Sequence, residues 1–205
     1  MDDKIKKNGM GDYCGTFYAA KLFGVSVGTI QSLVEKGELE GWKTQGGHRR
    51  IAMESIRLYQ AKHGLKTQLS PHKPHIKVLV VDDDASTRSA MVNLIGQWGL
   101  PVDCTAMASA MEALIDIHHL RPDILFTDLN MSGVDGLALL RTLRANAAFE
   151  GMVMVAITKL SDESIQERGG VPANTVVVEK PVNPFWLQGF VTALATQCKT
   201  VRNAG

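Results

Sequence analysis

The feature that most constrains this chain is a series of short apolar runs, each of which ends in a charged or hydroxyl side chain. Residues 76–81, 123–127, 152–157 and 175–178 are such runs, and residues 101–106 are predicted as a further strand. Short, nearly continuous apolar runs are typical of strands that are buried on both faces of a parallel sheet. The sequence therefore predicts an α/β domain over residues 76–205.

Carboxylates, a hydroxyl and a lysine follow these runs directly, as Asp82-Asp83-Asp84, Asp128, Thr158 and Glu179-Lys180. Because the carboxyl ends of parallel strands share one edge of an open α/β sheet, we expect these side chains to converge there. Clustered carboxylates hold a hard divalent cation, and one remaining carboxylate can act as a nucleophile.

The same acids can also be solvated residues that merely end a strand. This turn interpretation is preferred for three of them, Asp84, Asp103 and Asp135. The site interpretation is preferred for the acids that follow a buried run directly, Asp82, Asp83 and Asp128. For Glu179 both the turn interpretation and the site interpretation stay open.

Residues 76 to about 200 resemble the receiver domain of two-component response regulators. Four motifs in the same order and spacing carry the resemblance: Val80-Val81-Asp82-Asp83, residues 128–136, Thr158 and Lys180-Pro181. The resemblance implies a flavodoxin-like fold of five βα units with strand order 2-1-3-4-5. We expect the helices of this domain at residues 85–98, 108–118, 136–146, 162–168 and 183–197.

The resemblance also implies a role for each residue at the sheet edge. Asp128 accepts a phosphoryl group, Thr158 donates its hydroxyl to that group, and Lys180 pairs with it. The implied Mg²⁺ ligands are three carboxylates and one backbone carbonyl, those of Asp82, Asp83, Asp128 and Asn130. The residue types agree with these roles, because a divalent cation and a lysine offset the charge that develops in phosphoryl transfer.

Three positions depart from the pattern of that family. Ser132 replaces the usual proline, Lys159 replaces a small residue, and Val177 replaces an aromatic one. Since an aromatic rotamer switch cannot operate at Val177, we expect a signal to pass through packing around Thr158 or through a dimer surface. The apolar residues expected to supply that surface are Val182, Phe185, Trp186, Phe190 and Val191.

The charge of the chain is divided unevenly. Residues 1–75 contain twelve Lys and Arg against seven Asp and Glu, a net of +5, and residues 76–205 contain ten against fourteen, a net of −4. A basic segment joined to an acidic domain suggests nucleic-acid binding at the amino end.

The basic segment has the pattern of two short helices joined by a tight turn. Residues 16–23 predict the first helix, with Thr16 as its cap and Gly24 as its end. Ser26 is placed to cap a second helix over residues 27–36, and Gly37 ends it. The side chains expected on the outer face of that helix are Gly28, Thr29, Gln31, Ser32 and Lys36. This is a helix-turn-helix pattern, whose second helix enters the major groove.

A β-hairpin is predicted to follow, with strands at residues 39–44 and 48–51 around a Gly-Gly turn. Together with the two helices it resembles the winged helix-turn-helix of the MerR superfamily, in its excisionase-type and developmental-regulator branch. The resemblance is carried by residues 19–26, Thr29-Ile30, Lys36-Gly37, Leu39 and residues 46–51. It implies double-stranded DNA contacts from the helix and the wing, by Thr29, Gln31, Ser32, Lys36, His48, Arg49 and Arg50.

Each of these contacts has an alternative. Arg49 and Arg50 face opposite ways, so one of them can pack or pair with an acid, and Gln31 and Ser32 can be ordinary solvated residues. His48 is equally a hairpin residue. Trp42 and Tyr18 are expected in the core.

The sequence divides into a DNA-binding domain at residues 1–65, a proline-marked linker at residues 66–75 and a receiver at residues 76–205. His72 and His75 are too isolated to indicate a metal site. Three scattered cysteines, Cys14, Cys104 and Cys198, suit a reducing cytoplasm, and no apolar segment indicates a membrane.

These observations predict a cytoplasmic two-component response regulator that is not an enzyme beyond its own phosphotransfer. Phosphorylation of Asp128 is expected to modulate DNA binding by residues 16–60. The expected cofactor is Mg²⁺. The expected partners are double-stranded DNA, a sensor histidine kinase or phosphotransfer protein, and a second copy of the chain.

Two alternatives stay open at this point. One is an architectural DNA protein of excisionase type, whose receiver serves only for assembly. The other follows a superficial resemblance to haloacid-dehalogenase phosphohydrolases, with Asp82 as the nucleophile and Asp84 as the acid/base. That family needs an acidic motif after its lysine, but residues 181–205 contain no Asp or Glu, and the alternative leaves Asp128 unexplained.

Overall fold

The structure is a computed structural model that describes residues 12–45, 47–65 and 75–202. The chain divides into two compact units, Met1–Pro71 and His72–Gly205. The predicted linker, with His72, lies outside the described residues except for His75, and Gly46 of the predicted wing also lies outside them. The linker therefore stays a prediction.

The amino-terminal unit contains three strands and three helices: β1 (Tyr13–Cys14), α1 (Thr16–Phe23), α2 (Val27–Glu35), β2 (Gly41–Lys43), β3 (Arg49–Ala52) and α3 (Met53–His63). The strands form an antiparallel sheet in the order β1-β3-β2. The two predicted helices and the hairpin are present. Strand β1 and helix α3 were not foreseen.

The ends of the two predicted helices follow local sequence signals. Gly24 ends α1 with φ of 67°, a left-handed conformation that glycine adopts at little cost. The Ser26 hydroxyl accepts a hydrogen bond from the Thr29 N–H at 3.1 Å and so caps α2. The predicted cap of α1 was wrong, because Thr16 is already helical and Gly15 occupies the cap position.

One apolar core holds this unit together. Its fully buried members are Cys14, Ala19, Ile30, Leu39, Ile51 and Ile56. Tyr18 packs against this cluster. The expectation that Trp42 lies in the core was wrong, since its side chain is 47% exposed. Side chains alternate along a strand, and Trp42 pairs in register with Arg50, the neighbour of the buried Ile51.

The second unit contains five parallel strands: β4 (Ile76–Val81), β5 (Val102–Met107), β6 (Ile124–Asp128), β7 (Val153–Thr158) and β8 (Thr175–Glu179). Their order in the sheet is β5-β4-β6-β7-β8, which confirms the predicted 2-1-3-4-5 arrangement and the flavodoxin-like class. The helices are α4 (Ala85–Gln97), α5 (Ala110–Leu120), α6 (Gly136–Arg144), α7 (Asp162–Glu167) and α8 (Pro184–Arg202), with a 3-10 turn at Ala147–Phe149.

Four boundaries of these helices differ from the prediction by two residues or more: both ends of α5 and the carboxyl ends of α6 and α8. Helix α5 begins two residues later than expected, because the Ser109 hydroxyl accepts a hydrogen bond from the Glu112 N–H and caps it there. Helix α8 continues beyond residue 197 to Arg202.

One apolar core of this unit lies between the sheet and helices α4 and α8. Phe126, Val155, Leu187 and Val191 are among its fully buried members. The residues expected at a dimer surface divide into those that pack in or against this core and one that is exposed. Val191 is part of the core, Trp186 and Phe190 stack on each other against it, and Phe185 is 84% exposed.

No single helix within the described residues is long and apolar enough to cross a membrane. Helices α1 and α2 reach the length and apolar composition of a membrane span only when they are taken together, and the pair is bent by 106°.

Candidate functional site

The carboxyl ends of four strands bring the predicted receiver residues to one edge of the sheet. Asp82 directly follows β4, Asp128 and Thr158 are the last residues of β6 and β7, and Lys180 directly follows β8. The parallel register aligns these ends, with Val81 beside Thr127, Asp128 beside Ile157 and Thr158 beside Glu179. The expected convergence of distant residues is therefore present.

Lys180 links two carboxylates at the centre of this edge. Its Nζ donates hydrogen bonds to Asp82 Oδ2 and to Asp128 Oδ2, each at 2.7 Å. Burial alone would lower the pKa of Lys180, but the hydrogen bonds and charges of Asp128 and Asp82 outweigh it and raise the pKa above its ordinary value. The ammonium form is thus fixed between the two acids.

Three carboxylates lie close enough to hold a metal ion together. Asp82, Asp83 and Asp128 each offer an oxygen within 4.8 Å of the other two. Asp82 and Asp128 are buried, whereas Asp83 is exposed and accepts a hydrogen bond from the Ser132 N–H at 3.0 Å. Hard oxygen ligands suit Mg²⁺. The charges suit it as well, because three carboxylates face one ammonium group and a divalent cation would balance the remaining two.

Backbone groups orient the acids. The Asn130 N–H donates to Asp128 Oδ1 at 3.0 Å, and the Asp84 N–H donates to Asp82 Oδ1 at 2.9 Å. Arg88 of α4 donates from Nη1 to the Asp82 carbonyl at 2.6 Å, a contact that sequence reasoning did not anticipate. Asn130 is thus adjacent to the acids, while metal binding by its carbonyl stays a prediction.

Thr158 is buried beside the acids. Its Oγ1 accepts a hydrogen bond from the Leu160 N–H at 3.0 Å, which leaves the hydroxyl hydrogen available for donation to a ligand. Lys159, the next residue, is exposed.

Asp84 and Asp135 act as helix caps. The Asp84 carboxylate accepts hydrogen bonds from the Thr87 hydroxyl at 2.6 Å and from the N–H groups of Ser86 and Thr87, and these bonds lower its pKa. Asp135 accepts from the Ala138 N–H at 2.7 Å. Because the Asp84 oxygens are used by α4, they are poorly placed for the acid/base role that a phosphohydrolase would require.

Gly136 is a further residue on which the site depends. A Cβ at this position would lie 1.9 Å from the Asp128 carbonyl oxygen, far closer than any side chain can approach. The glycine therefore lets α6 begin directly against the strand end that carries Asp128. The sequence marked Gly136 only as the last residue of the motif that begins at Asp128. Its close approach to the Asp128 carbonyl could not be predicted from that position.

The residues predicted to contact DNA lie on α2 and the hairpin. Thr29 and Lys36 are exposed, whereas Gln31, Ser32 and His48 are half-buried. The His48 carbonyl accepts from the Thr44 N–H at 2.8 Å and helps to close the hairpin.

The wing arginine Arg49 pairs with an acid. Arg49 donates to Glu35, the last residue of α2, and only 12% of the Arg49 side chain is exposed. Arg49 therefore pairs with an acid, as one of the two alternatives expected. Contact between Arg49 and DNA stays a prediction.

Comparison with protein families agrees with this geometry. The family model for the response regulator receiver domain matches residues 78–191, more than half of the chain. The chain belongs to the response regulator receiver family. In this response regulator a second family model, the helix-turn-helix domain, matches residues 13–64.

Individual relatives match more than half of this response regulator. A DNA-binding response regulator, MtrA of Mycolicibacterium paratuberculosis, is 33% identical over 117 residues, which is 57% of this chain and 50% of the relative. Protein-glutamate methylesterase/protein-glutamine glutaminase 5 of Myxococcus xanthus is 36% identical over 124 residues, which is 60% of this chain and 32% of the relative. The response regulator thus spans half or less of the length of these relatives.

Solved structures give the same fold. The chemotaxis response regulator CheY4 of Vibrio cholerae aligns with a TM-score of 0.52 and 26% identity, covering 58% of this chain and 98% of CheY4. Neither the architectural nor the hydrolase alternative is favoured by these comparisons.

Proposed function

We propose that this response regulator accepts a phosphoryl group on Asp128 and that its phosphorylation modulates DNA binding by the helix-turn-helix domain. The donor is a sensor histidine kinase or a phosphotransfer protein, in the cytoplasm, and the output is regulation of transcription. The observation that carries the proposal is the pair of 2.7 Å hydrogen bonds from Lys180 to Asp82 and Asp128. This arrangement holds one buried carboxylate beside a cation and two further acids.

The residues divide the work of phosphoryl transfer. An Asp128 carboxylate oxygen forms a bond to phosphorus as the bond between phosphorus and the donor nitrogen breaks. Lys180 then pairs with a phosphoryl oxygen, and Thr158 donates its hydroxyl to another. The residues that would hold Mg²⁺ are Asp82, Asp83, Asp128 and the carbonyl of Asn130. The ion would neutralise charge on the transferred group.

DNA binding is supported by three features of the amino-terminal unit. Residues 1–75 carry a net charge of +5. Helix α2 has the position of a recognition helix, with Thr29 and Lys36 exposed, and the hairpin provides a basic wing. The name of one relative, a DNA-binding response regulator, agrees with this output.

Self-association is the proposed route between the two activities. Val176 and Val177 on β8 and Phe185 at the start of α8 are large exposed apolar residues of the receiver. Burial of such residues against a second copy would form a homodimer and bring two DNA-binding units together. Because Val177 is not aromatic, this coupling does not require a ring to change rotamer.

The test of the phosphorylation site uses the full chain with acetyl phosphate and Mg²⁺. Intact mass should rise by one phosphoryl group. The gain should be lost in Asp128→Ala and weakened in Asp83→Ala, and it should persist in the control Asp84→Asn, whose side-chain oxygen can still cap α4. Labelling at Asp82 that survives in Asp128→Ala would overturn the proposal and return the hydrolase alternative.

A further inference from the structure

An exposed aromatic pair lies on the small sheet of the helix-turn-helix domain. The rings of Tyr13 and Trp42 meet edge to face, with 4.5 Å between their centroids. Tyr13 is 38% exposed and Trp42 47% exposed, although two large rings in contact usually form part of a core. Neither belongs to the apolar cluster that holds this unit together.

Strand register places these rings on the outer face of the sheet. Cys14 and Ile51 pair with each other and are fully buried, so they define the inner face. Their neighbours along the strands point the other way. Tyr13 pairs with Ala52, and Trp42 pairs with Arg50. The outer face therefore presents two rings from the two edge strands, with Arg50 on the strand between them. The strand that carries Trp42 leads into the turn of the wing.

The hairpin that carries Trp42 has charged side chains of one sign. Residues 41–52 contain one lysine, two arginines and one histidine and no acidic residue. Lys43, next to Trp42, is exposed. A flat aromatic side chain among cations is complementary to nucleic acid, whose sugar and base surfaces lie beside phosphates. A second protein chain would have to supply acidic residues to match this face.

We propose that the Trp42–Tyr13 pair is a contact surface for duplex DNA, with Trp42 against the sugar edges of a groove and Lys43 on an adjacent phosphate. The proposal rests on the DNA binding proposed above and adds two aromatic residues to the polar contacts expected from the recognition helix and the wing. The contact is independent of sequence, because every nucleotide presents the same sugar.

Trp42 can be followed directly in the full chain. The protein has three tryptophans, and Trp98 and Trp186 lie in the receiver, partly buried against its core. Incorporation of 5-fluorotryptophan gives one fluorine NMR signal for each, and Trp42→Phe identifies the first. A mixed-sequence duplex of about two helical turns should shift the Trp42 signal and reduce its quenching by acrylamide, while the other two signals keep their positions. Binding that leaves the Trp42 signal unchanged would overturn the proposal.

Affinity for the same duplex gives a second readout. Trp42→Ala should weaken binding about five- to tenfold, and Trp42→Phe should retain most of the affinity. Trp42→Ala should leave the dependence of log affinity on log salt unchanged, whereas Lys43→Ala should reduce that slope by about one, because only the lysine releases a counterion. Leu58→Ala, which truncates an exposed apolar residue of α3, is the matched control and should bind as the unaltered chain does.

The outcomes separate this inference from the function on which it rests. If the unaltered chain does not bind the duplex even at low salt, the proposal of DNA binding fails and this one with it. If the chain binds and Trp42→Ala binds equally well, only the aromatic contact is overturned. A loss of self-association in Trp42→Ala, measured by sedimentation with unchanged DNA affinity, would reassign the face to a protein partner.

Discussion

The proposed phosphorylation site of the receiver and the proposed DNA surface of the helix-turn-helix domain differ in what holds their residues in place. In the receiver, residues from four strand ends are fixed by contacts within the chain, and Lys180 contacts two acids at once. On the DNA surface, Thr29, Lys36 and Trp42 are exposed to solvent. A site that transfers a charged group must be organised before its substrate arrives, whereas a DNA surface is completed by the DNA.

The largest expected effect tests how rigidly the receiver site is built. Gly136→Ala should destabilise the receiver by about 3 kcal/mol or more, because a Cβ would collide with the Asp128 carbonyl. Chemical denaturation of the full chain, followed by receiver tryptophan fluorescence, measures the change. Gly96→Ala is the matched control. It lies inside α4 with open space around it, and it should stabilise the domain by up to about 1 kcal/mol. Equal effects of the two substitutions would contradict the close contact at Gly136.

The next effect concerns the charges of the site. Lys180→Met should lower the free energy of unfolding at neutral pH, since it leaves the buried Asp82 and Asp128 facing each other without a cation. Added Mg²⁺ should stabilise this variant more than it stabilises the unaltered chain, because the ion then replaces the missing charge. Thermal unfolding with and without Mg²⁺ measures both changes, and a variant that gains no more than the unaltered chain would argue against a shared cation site.

The same variant has a defined pH dependence. The folded pKa of Lys180 is raised above the ordinary value of 10.5, so its contribution to stability is complete below that pH and is lost as the pH rises through the folded pKa. The difference in unfolding free energy between the unaltered chain and Lys180→Met should therefore be constant around neutrality and shrink above pH 10.5. A difference that stays unchanged well above pH 10.5 would contradict this assignment.

A smaller effect is expected on the recognition helix. Ser26→Ala removes the hydroxyl that caps α2 at Thr29, and it should cost about 1 kcal/mol of stability in the amino-terminal unit. Hydrogen exchange of the α2 amides in the full chain measures this locally. Ser26→Asp should restore the cap, and failure of that rescue would show that Ser26 acts in some other way.

The smallest expected effect tests whether Arg49 is a DNA contact or an internal tie. If Arg49 reaches phosphate, Glu35→Gln should tighten DNA binding about two- to threefold, because it frees the arginine and removes a nearby negative charge. If Arg49 only ties the wing to α2, the same substitution should weaken binding. Titration at fixed salt separates the two, with Glu38→Gln as a control for the loss of a negative charge alone.

The sequence predicted the receiver well because its signals are local. The runs ending at Val81, Asp128 and Thr158 are nearly continuous in apolar residues, so both the strands and the residues at their ends could be identified. Gly136 could not be understood in the same way, because its constraint comes from a backbone carbonyl eight positions earlier that only the fold brings close.

The amino-terminal unit was predicted less completely for a similar reason. Strand β1 has only two residues and exists through its pairing with β3, where Tyr13 lies opposite Ala52. No local pattern marks so short a strand. Trp42 was expected in the core because of its size, but the register of the hairpin, which places it opposite Arg50, decides which face it occupies. The face of the sheet that a side chain occupies depends on how the strands pair, and composition does not show strand pairing.

The central claim is that the state of Asp128 changes DNA binding by a domain at the other end of the chain. Its most direct test is a DNA titration of the full chain on its selected binding sequence, with sedimentation in parallel, in the presence and absence of Mg²⁺ and beryllium fluoride, a phosphoryl mimic. We predict a change in DNA affinity equivalent to about 1–3 kcal/mol of coupling free energy, accompanied by an increase in mass. Asp128→Ala should abolish both changes. Identical affinity and identical mass in the two states, with Asp128 occupied, would contradict the claim and leave the receiver as an assembly domain that phosphorylation does not control.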